Sequence, residues 1–200
     1  MSKKIIGIVG SYRKGGITDQ AMDAVLQTAQ EAGAQIDKVY LVDKHIEFCT
    51  NCRVCTQDEP EKMRGTCVLD DDMNEILSKI EHADGLILAA PINFYQATAI
   101  MKKFIERLIV YAYWPWGNKS IPRQRIKKPA KKAVIITSSA CPAFPGKILM
   151  PGALKLLKAA AKIVGARVVK SLYFGNVCTT QKQKLSKNQL QKARSAARLL

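Results

Sequence analysis

Short apolar, β-branched runs recur along the chain, and between them the apolar spacing lengthens to three and four residues. Lys4–Val9 is a continuous run of the kind expected for a strand buried on both faces. From Thr18, residues Ala21, Val25, Thr28, Ala29 and Ala32 keep helical spacing until Gly33 stops it. Ile36–Val42 alternates as a second strand would. One of Asp70, Asp71 and Asp72 is placed to cap a helix that turns Met73, Ile76, Leu77 and Ile80 inward. Gly85–Ala90 reads as a third strand that Pro91 ends, followed by a helix from about Ala97 to Tyr111 with Ile100, Met101, Phe104, Ile105 and Leu108 on its apolar side. Trp114–Pro129 has no period and reads as an excursion or a partner-contact loop. Ala133–Thr137 is a fourth strand, Leu149–Val164 a helix closed by Gly165, and Val168–Phe174 a fifth strand. Ser186 then caps a basic last helix.

Strands alternating with helices imply parallel βαβ units with right-handed crossovers. Five of them suit an α/β, flavodoxin-like three-layer sandwich, with a parallel sheet in the order 2-1-3-4-5 and helices on both faces. No internal repeat or linker interrupts the pattern, so residues 1–200 read as a single domain with a cysteine-containing insertion at about 43–69. The 48% hydrophobic and 24% charged content suits a folded chain. No apolar run reaches the length of a membrane span, and the N-terminal one is too brief for a signal peptide, so the cytoplasm is the expected compartment.

Charge is distributed unevenly. Residues 1–100 carry a balance of −5, and residues 101–200, in which Glu106 is the single acid, carry +21. Such a field attracts phosphorylated small molecules, acidic lipid or nucleic acid, although solvated lysine-rich helix surface produces the same count. Neither a helix-turn-helix pattern nor an RNA-binding aromatic signature accompanies it.

Ligands of an open parallel sheet bind beyond the carboxyl ends of its strands, where three loops are expected. The first, G-S-Y-R-K-G-G-I-T at Gly10–Thr18, combines glycines that let backbone N–H groups turn inward with a helix N-terminus. Ser11 and Thr18 add hydroxyls, Arg13 adds a charge, and Gly16 and Ile17 complete a phosphate cradle. It has neither the G-K-[ST] ending of a P-loop nor a G-x-G-x-x-G fingerprint, which argues against ATP hydrolysis and a dinucleotide-type site. The second loop holds Pro91, Ile92, Asn93, Phe94, Tyr95 and Gln96. The third runs from Thr137 to Gly146 and includes Ser138, Ser139, Ala140 and Cys141, small enough for close backbone approach. A phosphate cradle flanked by two ring-framing loops is a mononucleotide site, and an isoalloxazine fits it. The alternatives are a tight glycine turn with solvated tips and an aromatic plug at Phe94.

Cys49, Cys52 and Cys55 stand in C-T-N-C-R-V-C, and Cys67 follows after an intervening stretch with several charges. Four thiolates satisfy the ligand count of a [4Fe–4S] cluster. They also suit a tetrahedral zinc site. A third reading makes them small packing residues in a dimer-forming loop. Cys141 and Cys178 read as packing residues, and His45 and His82 as ordinary loop and helix-end residues.

With these pieces assembled, the chain resembles the flavodoxin-like NAD(P)H-dependent FMN reductases, and within them the iron-sulfur flavoprotein branch. The resemblance rests on G-S-x-R, on C-x2-C-x2-C followed by G-T-C-V-L-D-D-D-M, on A-D-G-L-I-L-A-A-P, and on the helix ending M-K-K-F-I-E-R, over about residues 4–110. It implies FMN with its phosphate on Ser11, Arg13 and Thr18, Pro91–Gln96 along the ring, and Ser138–Cys141 on the other side. Asn93 departs from the family's usual aromatic residue, leaving Phe94 or Tyr95 to stack. Flavin-centred hydride transfer from NAD(P)H to a quinone, free flavin or similar small acceptor then follows, with no side-chain acid or base. The basic half would favour NADPH. The resemblance also implies a homodimer or tetramer, in which the Trp114–Trp116 pair would either roof a neighbour's flavin or form a local hydrophobic cap. Two alternatives stand beside it: a cluster-bearing electron carrier with a ferredoxin-like redox partner, and a non-enzymatic basic binding module.

Overall fold

Five parallel strands form the sheet of the computed structural model, which describes residues 2–200. They are β1 (Lys4–Val9), β2 (Gln35–Tyr40), β3 (Gly85–Asn93), β4 (Lys131–Ser138) and β5 (Ala166–Phe174), hydrogen-bonded in the order β2-β1-β3-β4-β5. The flavodoxin-like order expected from the pattern is therefore present. Alternating side chains bury both faces. Ile5, Val9, Ile87, Ala89, Val134 and Ile136 pack under α1 (Ile17–Glu31), together with residues of the C-terminal helix. Ile6, Ile8, Leu86, Leu88 and Ile135 pack against α2 (Met73–Glu81), α3 (Ala99–Arg107) and the helix Gly152–Ile163. Each such Ile or Leu contributes about 1.5–3 kcal/mol by leaving water.

Three expectations need correction. Pro91 does not end β3: the strand runs on to Asn93, and Pro91 pairs with Ser138 of β4. The Ala89 carbonyl accepts the Gly10 N–H, the last bond given by β1. Pro91 faces the same side two residues later, so its missing N–H forfeits no ladder bond. Next, the helix expected over Leu149–Val164 is two helices, α4 (Ala143–Leu149) and α5 (Gly152–Ile163). Met150 precedes a proline and leaves helical backbone at ψ 57, so the pattern breaks there. The small-residue loop before them is correspondingly shorter than its expected Gly146 limit. Finally, Asp72 stands at the N-cap of α2 but its side chain does not cap the helix. Asp71 accepts the Met73 N–H at 3.0 Å, while Asp72 accepts the His45 N–H at 2.8 Å and holds the insertion instead.

The excursion after α3 contains a short antiparallel ladder, Ala112–Tyr113 against Arg123–Gln124. At the C-terminal end, Ser186 opens α6 (Lys187–Ala197) with a capping box in which its hydroxyl accepts the Gln189 N–H and the Gln189 side chain accepts the Ser186 N–H. Ser186→Ala should cost about 1 kcal/mol. A urea titration should show a lower midpoint with an unchanged slope.

Candidate functional site

The first loop is fixed on α3 before it curls. Thr98 Oγ1 donates to the Gly10 carbonyl, and a Cβ at position 10 would lie 2.6 Å from Met101 Cβ, so only glycine allows this approach. Ser11 is buried and closes a local turn: its hydroxyl accepts the Arg13 N–H at 3.1 Å and reaches the Arg13 carbonyl at 3.2 Å. Gly15 then takes a left-handed φ of 77°, and Gly16 starts α1 with no side chain capping it. The first-turn N–H groups of Ile17 and Thr18 are left facing the loop, where the helix end favours an anion.

Beneath the loop, buried Asp19 accepts the Gly15 N–H at 2.6 Å and the Tyr40 hydroxyl at 3.2 Å, and pairs with Lys38. Lys38 also pairs with Asp23. Burial works against the Lys38 ammonium, but these bonds outweigh it and hold its pKa above the usual lysine value. Among the described residues Lys14 is held by Asp43 at 2.6 Å, whereas exposed Arg13 has no acidic partner.

The third loop meets the first directly: Thr18 Oγ1 and Ser138 Oγ are 2.7 Å apart in a buried contact. Ser139 bonds the Tyr173 hydroxyl at 2.8 Å and the Cys141 carbonyl at 3.0 Å, leaving Ala140 exposed at the rim. The second loop is a tight hairpin in which Ile92 and Asn93 pair with Ala97 and Gln96. Phe94 and Tyr95 at its tip both take left-handed backbone, φ 44° and 68°, and are exposed. Left-handed aromatic residues are strained, and strain of this kind collects at ligand sites. Gln96 lies over Gly152, where a Cβ would come within 2.3 Å of its amide. Thr18 and Ser138 thus stand together, with Ser11 in the same first loop, and the second loop lies at the same end of the sheet.

The cysteine insertion forms a separate feature. Cys49, Cys52, Cys55 and Cys67 all line one small cleft, with Arg107 and Val110 in its wall. Asn51 and Arg53 adopt φ of 55° and 62°, so the C-x2-C-x2-C run winds around the cleft. The long gap before Cys67 is folded back by Gly65, whose Cβ would sit 1.7 Å from the Cys55 carbonyl oxygen, and whose N–H bonds Val110 at 2.7 Å. Burial, then the neighbouring Cys67, Cys49 and Cys52, push the Cys55 thiol up to about 11. Among the described residues no three His, Cys, Asp or Glu side chains stand at metal-ligating spacing, so the thiols share a cleft without converging on a point.

The NADPH-dependent FMN reductase model matches residues 3–175. The chain belongs to that family. It is 34% identical over 135 residues to an iron-sulfur flavoprotein of Archaeoglobus fulgidus, covering 65% of this chain and 59% of that one. It is 36% identical over 107 residues to an iron-sulfur flavoprotein of Methanosarcina thermophila, covering 54% and 53%. The chain therefore spans between half and three-fifths of the length of these relatives. Among solved structures, an azoreductase from Bacillus anthracis superposes at a TM-score of 0.73 with 13% identity, over 99% of this chain and 100% of that one. An NAD(P)H:quinone oxidoreductase from Methanothermobacter marburgensis gives 0.69 with 18% identity, over 99% and 96%. These two show the shared fold.

Several residues of this FMN reductase family member escaped sequence reasoning. Asp19 and Lys38 lie on different elements, and only register brings them together. Arg53 lies between Trp114 and Trp116, 3.6 and 4.2 Å from their ring centroids, and donates to the Trp114 carbonyl at 2.8 Å. That pair therefore packs on its own chain's cysteine loop. His45 pairs with Glu47 at 2.8 Å, and His82 bonds the Ser78 carbonyl at 2.8 Å. No helix among the described residues is long and apolar enough to cross a membrane.

Proposed function

We propose that this chain is an FMN-dependent NAD(P)H oxidoreductase that passes electrons from a nicotinamide to a small acceptor such as a quinone or free flavin. The observation that carries the reading is the uncapped N-terminus of α1, set in a glycine loop that Thr18 and Ser138 fasten to the loop after β4. Its donor set of free backbone N–H groups, hydroxyls and an unpaired Arg13 is what a phosphate monoester requires, so FMN fits. Gly16, Ile17 and Thr18 would hold the phosphate with Ser11 and Arg13. The hairpin Pro91–Gln96 would orient the ring, and Ser138, Ser139, Ala140 and Cys141 would close the opposite side. Bound FMN supplies the hydride-accepting chemistry, and the protein orients the two reactants and keeps water out. The positive second half favours NADPH over NADH through its extra phosphate.

The test reconstitutes the chain with FMN, counts flavin per chain, and follows NADPH and NADH oxidation with a quinone present. Near-stoichiometric FMN and acceptor-dependent oxidation are expected. A chain that retains no flavin and binds nucleic acid with steep salt dependence would instead be a basic binding module.

A second reading adds a [4Fe–4S] cluster on Cys49, Cys52, Cys55 and Cys67, making the chain an electron carrier that works with a ferredoxin-like partner. The shared cleft of the four cysteines favours it. Iron and acid-labile sulfide measured on anaerobically purified protein test it, and zinc in their place would make the site structural.

A further inference from the structure

The first turn of α1 holds Gly15 from both sides. Asp19 accepts the Gly15 N–H at 2.6 Å, and Gln20 Nε2 donates to the Gly15 carbonyl at 2.7 Å, which fixes the left-handed turn of the first loop. The Gln20 amide also reaches a distant part of the chain. Its Nε2 donates to the Gln183 carbonyl at 2.9 Å, and its Oε1 accepts the Leu185 N–H at 3.0 Å. Both N–H donors of the amide are therefore used. Residues 183 and 185 belong to a strap, 176–185, that joins β5 to α6. The strap leaves β5 beside the third loop, where the Asn176 N–H bonds the Cys141 carbonyl and the Val177 N–H bonds the Ser139 carbonyl, each at 3.2 Å. The Gln183 side chain closes the strap across its base. Its Nε2 donates to the Asn176 carbonyl at 2.8 Å, and its Oε1 accepts the Thr179 N–H at 3.2 Å. Val177 and Leu185 pack against the core on the α1 side.

A line of hydrogen bonds thus runs from Gly15 through Gln20, Gln183 and Asn176 to Cys141 and joins the first loop to the third. This route is separate from the buried contact between Thr18 and Ser138. Glycine loses more conformational freedom than any other residue when it is ordered, so a glycine loop that must be ordered by its ligand binds it weakly. The N–H groups of Gly16, Ile17 and Thr18 follow Gly15 directly, and their direction is set by its turn. We propose that Gln20 is a positioning residue that orders the phosphate loop and couples it to the strap. A phosphate monoester on the loop then tightens residues 176–185, and a loosened strap weakens the phosphate end of the site, because such coupling is reciprocal. The inference rests on the FMN reading of the first loop.

The experiment compares FMN with riboflavin, which lacks the phosphate, on the full chain and on two variants. In wild type, hydrogen exchange of the strap amides, Thr179 and Leu185 among them, should slow when FMN is added and not when riboflavin is. Gln20→Met keeps the length of the side chain and removes its three bonds. It should weaken FMN about 5–10-fold and riboflavin less than about 2-fold, and it should abolish the slowing by FMN. Gln183→Met leaves the Gln20 bonds in place and frees the base of the strap, so a smaller loss of FMN affinity, about 2-fold, is expected. Thermal melting reports whether the variants fold. A Gln20 that only stabilised α1 would lower the melting temperature and leave the ratio of FMN to riboflavin affinity unchanged. An unchanged ratio in folded Gln20→Met overturns the inference while the flavin site stands. So do strap amides that exchange alike with either flavin in a wild type that prefers FMN, and this comparison needs no variant to fold. Wild type that binds both flavins equally, or neither, overturns the phosphate reading and the inference with it.

Discussion

Asp71→Ala is expected to remove about 3–5 kcal/mol of stability at neutral pH, because it leaves Arg107, with which it pairs, charged and buried with no partner. That is a large share of the 5–15 kcal/mol that holds a typical domain together. The carboxylate also accepts N–H groups from Glu47 at 2.7 Å and Met73 at 3.0 Å, so its loss loosens the insertion and the start of α2 together. Burial pushes the Asp71 pKa up, but the bonds from Arg107, Glu47 and Met73 outweigh it and hold the group below the ordinary aspartate value. The sign follows from linkage. A depressed carboxylate contributes fully above its unfolded pKa of about 3.9 and loses that contribution as the pH falls through its folded value. Urea titrations of wild type and Asp71→Ala should therefore differ most near pH 7 and converge below about pH 4. A gap that stays constant across this range would mean that Asp71 acts by packing alone.

Local signals carried most of the fold. The continuous apolar runs at Lys4–Val9 and Gly85–Ala90 are strands because both faces are covered, and their short length between turn residues identifies them. The Ser186 capping box needs only residues three apart. Failures came where a long-range partner decides. Pro91 continues a strand because β1 has already turned away at Gly10, which no local window can register. The break at Met150–Pro151 was legible in principle, since a residue before proline is turned out of helix, but the apolar spacing on either side masked it.

The candidate site divides in the same manner. Ser11, Arg13 and Thr18 lie in one glycine loop, so sequence alone assembles them. The contact from Thr18 to Ser138 spans 120 residues, and only the order of the strands explains it. The cysteines were visible as a motif of four, but not how the long gap before Cys67 folds back onto the other three. Gly65 resolves that by allowing backbone to press on backbone at Cys55. The buried arginines were the least legible. Nothing distinguishes Arg107 or Arg125 from the other cations of a half that carries +21 until burial shows which of them have left water.

Arg13→Ala should weaken FMN binding about 10–100-fold, the equivalent of about 1.5–3 kcal/mol for a hydrogen bond to a charged group. Riboflavin, which has the ring but not the phosphate, should bind the variant and the wild type equally. Exposure sets the size of the effect: Arg13 is exposed and would reach the phosphate from the solvent side, so added salt should narrow the difference between the two chains. The backbone N–H groups at the start of α1 remain in the variant and should preserve a residual preference for FMN over riboflavin. Lys14→Ala is the contrasting variant, since Asp43 already holds that ammonium at 2.6 Å and its removal should change FMN affinity little. Fluorescence quenching titrations of FMN and riboflavin against all three chains read every arm. Equal losses for FMN and riboflavin in Arg13→Ala would place Arg13 at the ring rather than the phosphate. A larger loss in Lys14→Ala would mean that its pair with Asp43 breaks on binding and that Lys14 is the phosphate cation of this loop.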